Sequence, residues 1–173
     1  MGELKQATES ELRAIIDEFS TLSWPVASSG ISAIGRRLGW GIDYESGRRI
    51  SFKTSLTEDS YADVSLRDGD VAQIKLDASA RIAQSDDTQG SALNDSFVYV
   101  RDQVEAILGE PARSTSGEFP RVSWDLPNRG RVAVQRLGEV VQLVILQERY
   151  ADVERFEESR GIRDDRDPEG DLD

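Results

Sequence analysis

The stretch from Phe119 to Gln147, FPRVSWDLPNRGRVAVQRLGEVVQLVILQ, constrains the fold more than any other part of the chain. Three short runs, Arg121–Leu126, Arg131–Arg136 and Val140–Gln147, are rich in Val, Ile, Leu and Trp. The polar turns Pro127–Gly130 and Leu137–Glu139 separate them. β-Branched residues bounded by Pro, Asn and Gly favour strands, because a branched Cβ packs well on a pleated surface and the punctuating residues supply turn geometry. Val122 and Trp124 alternate with Ser123 and Asp125, and Val132 and Val134 with Ala133 and Gln135. A period of two buries one face and wets the other. The last run, VVQLVIL, is nearly continuous and reads as a central strand covered on both faces. The stretch predicts an antiparallel meander.

Upstream, Thr8 to Leu22 predicts an amphipathic helix. Thr8 and Glu11 have the spacing of a capping box, and Leu12, Ile15, Ile16, Phe19 and Leu22 recur at helical intervals. Ser23-Trp24-Pro25 stops it, since proline disfavours helical backbone in the residue before it. A shorter helix is expected from Ser28 to Leu38, ended by Gly39, and Trp40, Ile42 and Tyr44 suggest a short extended piece. Arg48–Thr54, Tyr61–Leu66 and Val71–Leu76 read as strands, the last able to run on to Ile82, with a hairpin at Asp68-Gly69. Gln84–Asn94 is polar and reads as a linker or mobile loop. Asp95–Leu108 reads as a helix capped by Asp95 or Ser96 and ended at Gly109-Glu110-Pro111. Tyr150–Arg160 reads as a short helix whose contact stripe is Val153 and Phe156.

Two segments of the chain align, 31–76 and 101–145. Leu38-Gly39 stands 70 residues before Leu108-Gly109, and Val64 stands 70 before Val134. Gly69, Val71 and Gln73 stand 69 before Gly138, Val140 and Gln142, a slip expected in the last turn. Each segment reads as helix, Leu-Gly stop, then a meander. Joined edge to edge, two meanders would bury a face that one alone cannot. The expected class is α+β: an antiparallel sheet of about six strands built from two three-strand meanders, helices packed on one face, in the order α-α-βββ-α-βββ-α. Residues 1–160 would form the domain. Residues 161–173 are acidic and read as a disordered tail, because such a run has almost nothing to bury.

The 173 residues include 21 Lys and Arg, 33 Asp and Glu, and no His or Cys, for a formal charge of −12. Without His or Cys there is no Ser-His-Asp or Cys-His nucleophile and no histidine-based zinc site. Neither disulfides nor thiol chemistry can occur, which fits a cytoplasmic location. The absence of a long apolar run argues against a membrane span, and the negative charge argues against nucleic acid. No phosphate-binding glycine loop or hydrolase motif occurs. The doublets Arg36-Arg37 and Arg48-Arg49 are expected to neutralise nearby carboxylates. The chain is read as carrying no cofactor, metal or catalytic residue.

What remains is binding. Glu58, Asp59, Asp63, Asp68 and Asp70 fall in or between the turns of the first meander. Trp24, Trp40 and Tyr61 are aromatics with a polar handle, the two tryptophans beside helix ends. Exposed aromatics ringed by carboxylates suit a basic protein partner. Through ILGEP…RVSWDLPNRGRVAV and VVQLVILQERYADVERFEE the chain resembles small acidic actinobacterial proteins of uncharacterised function. Similar families act as immunity proteins of polymorphic toxin systems. That resemblance implies a non-enzymatic module that covers a basic toxin domain. The order of elements also resembles class I type III secretion chaperones, which implies a dimeric adaptor as the alternative. A carboxylate- or Mg²⁺-dependent enzyme is a third reading.

Overall fold

The structure, a computed structural model, describes residues 4–83 and 89–161. Among the described residues are four helices and eight strands, in the order α1 (Glu9–Thr21), α2 (Ser28–Arg37), β1 (Gly41–Glu45), β2 (Arg49–Lys53), β3 (Tyr61–Arg67), β4 (Asp70–Asp77), α3 (Gly90–Leu108), β5 (Arg113–Thr115), β6 (Arg121–Asp125), β7 (Arg131–Arg136), β8 (Val141–Leu146) and α4 (Glu148–Ser159). The strands form one antiparallel sheet in the order β1-β2-β3-β4-β8-β7-β6-β5.

The core lies between one face of the sheet and α1–α3. Helix α1 starts at the Thr8–Glu11 capping box, in which each residue satisfies the other's backbone N–H, and buries Leu12, Ile15, Ile16 and Phe19. Helix α2 contributes Ile31 and Ile34, and α3 contributes Leu93, Phe97, Val100 and Val104. They meet Ile50, Phe52, Ala62, Val64, Ile74, Leu76, Val122, Trp124, Val132, Val134, Leu143 and Ile145 from the sheet. Each fully buried Val, Leu, Ile or Phe among them contributes roughly 1.5–3 kcal/mol of transfer free energy. Gly35 lets α2 approach β2 closely: a Cβ there would stand 2.8 Å from Phe52 Cε1.

Several sequence expectations need correction. The sheet has eight strands rather than six, because β1 and β5 extend the two meanders to four strands each. Every residue of β1 is exposed, and β5 is only Arg-Ser-Thr, so neither carries the buried alternation that marks a strand. The helices do not all pack on one face. The polar side of the sheet presents Ala133, Val144 and Leu146, and α4 packs there through Ala151. Helix α3 begins at Gly90, so part of the expected loop is helical, and Asp95 and Ser96 lie inside the helix rather than at its cap. Strand β4 stops at Asp77, although Ile82 N–H still donates to Glu139 O at 2.9 Å. Residues 84–88 of the expected loop and 162–173 of the expected tail lie outside the described residues.

The two meanders are related by an approximate two-fold axis through the β4–β8 junction. Strand β4 pairs with β8 in the register Gln73↔Leu146, Ile74↔Ile145, Lys75↔Val144, Leu76↔Leu143 and Asp77↔Gln142. With a 69-residue offset, Lys75 corresponds to its own partner Val144, and the pair Ile74↔Ile145 maps onto Leu143↔Leu76. A two-fold axis passing between Lys75 and Val144 requires that register. Away from the axis the correspondence continues: Val64↔Ile74 matches Val134↔Leu143, and Ile50↔Val64 matches Val122↔Val134. The slip from 70 to 69 lies in the strand rather than the turn. Ser65 pairs with Gln73 and Leu66 with Val71, so Ala72 is the extra residue of a β-bulge.

The β6–β7 turn also closes α1. Asn128 Nδ2 donates to Phe19 O at 2.7 Å and to Leu22 O at 3.0 Å, while its Oδ1 accepts from Gly130 N–H at 3.0 Å. The last carbonyls of a helix have no partner within it, so this side chain replaces water there. Asn128→Ala is expected to cost about 1–3 kcal/mol, read as a lower urea midpoint. Asn128→Asp should cost at least as much, since it loses the donor and sets a negative charge at a helix C-terminus. A wild-type midpoint for either variant would contradict this role.

Candidate functional site

Alternation along the strands places one set of side chains opposite the core. On the C-terminal half this polar face carries Arg113, Arg121, Ser123, Asp125, Arg131, Ala133 and Gln135. On the N-terminal half it carries Tyr44, Arg49, Ser51, Lys53, Tyr61, Asp63, Ser65 and Lys75. Between them, Gln135 donates to Gln142 Oε1 at 3.2 Å, and Gln142 donates to Asp77 Oδ1 at 3.3 Å. Asp77, only 3% exposed, also accepts from Arg81 at 3.1 Å.

Helix α4 closes the C-terminal half, with its acidic side inward. Arg131 is 1% exposed and lies directly opposite Asp125 in the β6–β7 pairing. Its guanidinium donates to Asp125 at 3.0 Å, to Glu154 at 3.1 Å and to both carboxylate oxygens of Glu158. Arg121 pairs with Glu154 at 2.9 Å and Arg113 with Glu158 at 3.3 Å. At the near end of the helix Arg155 bridges Asp125 and Asp152 at 2.8 and 2.6 Å, and Arg129 reaches Glu148 and Asp152, each at 3.0 Å. The stripe expected to make contact points outward: Val153 is 48% exposed and Phe156 57%. The surface beneath α4 is lined with guanidinium, so carboxylates gain more from facing it than apolar groups would. The inward acids are visible in the sequence as Glu154 and Glu158 at i,i+4. Their partners are spread over three strands and cannot be read from local spacing.

These pairs govern the titrating groups. Burial pushes Asp125 and Glu158 up, but hydrogen bonds from Arg131, with Arg155 at Asp125 and Arg113 at Glu158, outweigh it and leave both below the usual carboxylate range. Arg155 lowers Asp152, and Arg37 lowers Glu18. Burial opposes the charge on Arg131, yet Glu158 and Asp125 hold it more firmly protonated than a free arginine.

The N-terminal half of the face has no such cover among the described residues. Tyr44, Arg49 and Lys53 are exposed, and Tyr61, Asp63, Ser65 and Lys75 are half-buried. Arg49 donates to Asp63 at 2.9 Å and lies 5.7 Å from the Tyr44 ring centre. The residues singled out by sequence are distributed around this half. Tyr61 and Asp63 lie on it. Glu58 and Asp59 stand in the β2–β3 turn at one end, and Asp68 and Asp70 in the β3–β4 hairpin at the other. The structure thus does not bring the five acids into one cluster. Trp40 is 7% exposed and packs on Phe52 at 5.8 Å, so it belongs to the core. Trp24 is half-buried, follows α1 and packs against the core, with a cis bond to Pro25.

Among the described residues no three acidic side chains come together to hold a metal ion, and no helix is long and apolar enough to cross a membrane. A groove of about 500 Å³ lies between α3 and β5–β6, lined by Phe97, Arg101, Glu105, Pro111, Ser114 and Val122 among others.

Residues 10–147 match DUF6301, a family of unknown function, and the chain belongs to that family. The match ends at the residue before α4. No curated protein and no solved structure matches the chain.

Lowered carboxylates stabilise the folded chain above the ordinary carboxylate range, and that contribution is lost as pH falls through their lowered values. The urea midpoint is therefore expected to hold flat near neutrality and to fall below about pH 4. Glu158→Gln should lower the midpoint at pH 7 and flatten the acid limb. A transition between pH 6 and 8 would contradict this assignment.

Proposed function

We propose that this DUF6301 member is a non-enzymatic protein-binding module, an immunity protein that covers a basic toxin domain. Its ionisable groups are set for structure rather than for proton transfer. Glu18, Asp125, Asp152 and Glu158 are each held below the usual carboxylate range by arginine partners. A general acid or base near neutrality needs the opposite tuning of a carboxylate. With no His or Cys in the chain, few other groups could take that role.

The carrying observation is the arrangement of acids around the open half-sheet. Glu58 and Asp59 at one end, Asp43 and Glu45 along the β1 edge and Asp68 at the other end are all exposed. None of these five makes an ion pair with another described residue. The inner acids Glu18, Asp77, Asp125, Glu154 and Glu158 are all paired with arginines. Exposed carboxylates left without a counter-charge create the field that attracts and orients a basic surface. Ile42 and Tyr44, 52% and 53% exposed, add apolar contact along the same edge. Such a rim suits an inhibitor that must capture its target quickly.

Co-expression with a toxin domain encoded beside this gene tests the reading. The chain is expected to restore growth and to co-purify with that domain. The triple substitution Glu58→Lys, Asp59→Lys, Asp68→Lys should slow association about tenfold or more at low salt, with the difference shrinking as salt rises. No complex, or an unchanged rate in the triple variant, would overturn it.

A further inference from the structure

We propose that the open half of the polar sheet face receives an acidic amphipathic helix from a partner protein, seated as α4 is seated on the closed half. The proposal concerns the centre of the half-sheet and does not depend on the partner being a toxin.

The two-fold relation supplies the template. Through the pairings Ile50↔Val64 and Val122↔Val134, Arg49-Ile50-Ser51-Phe52 corresponds to Arg121-Val122-Ser123-Trp124. Arg121 holds Glu154 of α4, and its counterpart Arg49 stands on the uncovered half. Tyr61 corresponds to Arg131, and Tyr44 to Arg113, the other two strand arginines that grip α4. The core-facing sides of both halves are apolar and covered by helices. Among the described residues, only the C-terminal polar side has a helix over it.

Charge selects what the open side can take. Arg49, Lys53, Arg67 and Lys75 share this face with Asp63 in mid-strand and with Asp70 and Asp77 at the two ends of β4, in a chain whose formal charge is −12. Arg49 and Lys53 can hold carboxylates, while the Tyr44 and Tyr61 hydroxyls can hydrogen-bond them and the rings can cover aliphatic stems. The present partner of Arg49 is weakly held. Both side chains of the Arg49–Asp63 pair are about half exposed, at 56% and 44%, and a surface pair of this kind contributes little. Size agrees as well. A helix with its side chains is roughly 10–12 Å across and strands lie about 4.8 Å apart, so one helix spans β2–β4 as α4 spans β6–β8. The acidic rim around these cations disfavours nucleic acid and anionic membranes, whose charge extends well beyond one helix width.

The test uses the full chain and a helix-stapled peptide with the sequence of residues 147–161. A control peptide carries Gln in place of Glu154 and Glu158. In the intact chain α4 holds its own site intramolecularly, so the added peptide reports on the open one. Chemical-shift changes are expected at Tyr44, Arg49, Lys53 and Tyr61 and not on α1–α3. Arg49→Gln should weaken binding about tenfold, and Asp63→Asn should tighten it by removing the internal competitor. The proposal is overturned if the peptide leaves these residues unshifted or if the Gln control binds equally. It is also overturned if Arg49→Gln has no effect in a variant whose far-ultraviolet spectrum is native, or if a short RNA or anionic vesicles shift the same residues more tightly than the peptide.

Discussion

The pairing of β4 with β8 sets the rest of the molecule. A four-strand meander with one apolar face is a poor independent unit, and its last strand presents an unpaired edge. Joining two such edges satisfies both and makes a sheet wide enough for three helices to cover. Lys75↔Val144 sits at the centre of that junction, and the pairs on either side map onto one another. The outer edges are then left to β1 and β5, which are managed differently. Strand β5 is three residues long, and β1 carries a register shift between Ile42 and Tyr44. Short edges and bulges both discourage unwanted strand addition.

The two faces pose different energetic problems. The apolar face is stabilised by burial and needs no specific partners. The polar face carries three arginines on its C-terminal half, and leaving a guanidinium as enclosed as Arg131 without counter-charges would cost several kcal/mol. Helix α4 supplies those counter-charges by turning its carboxylates inward and leaving Val153 and Phe156 in solvent. Its attachment is therefore electrostatic and directional, whereas α1–α3 are held by packing. The N-terminal half faces the same problem in milder form, because tyrosines stand where two of the arginines would be and the cations that remain are at least partly exposed.

How much of this could be read from the sequence depended on how local the signal was. The Thr8–Glu11 box and the Leu12, Ile15, Ile16, Phe19 stripe specify α1 within a few residues. The Leu-Gly stops at 39 and 109 both have glycine at positive φ, as helix ends require. The 69-residue spacing of Gln73 and Gln142 agrees with the register of the central junction, whereas Val71 lies beyond the Ala72 bulge and pairs as the counterpart of Val141. Strand β1 is legible only as a short extended piece and β5 not at all, because edge strands have no second neighbour to demand apolar alternation. Trp40 was misplaced because its position beside Gly39 looks terminal, while the chain turns it back onto Phe52. The orientation of α4 escaped because apolar residues were assumed to face inward. That assumption fails when the receiving surface is built from Arg113, Arg121 and Arg131, which come together only through pairing.

The absence of cysteine makes the contrast between the two half-faces directly measurable. Asp63 and Ala133 occupy corresponding positions, opposite Lys75 and Val144 respectively, yet the Asp63 side chain is 44% exposed and Ala133 only 1%. Single Asp63→Cys and Ala133→Cys variants can each be labelled with a maleimide under native conditions. An open N-terminal half and a C-terminal half closed by α4 require fast labelling at position 63 and labelling at position 133 that waits for α4 to open. Equal rates at the two positions would contradict the account, whether both thiols react freely or both are protected.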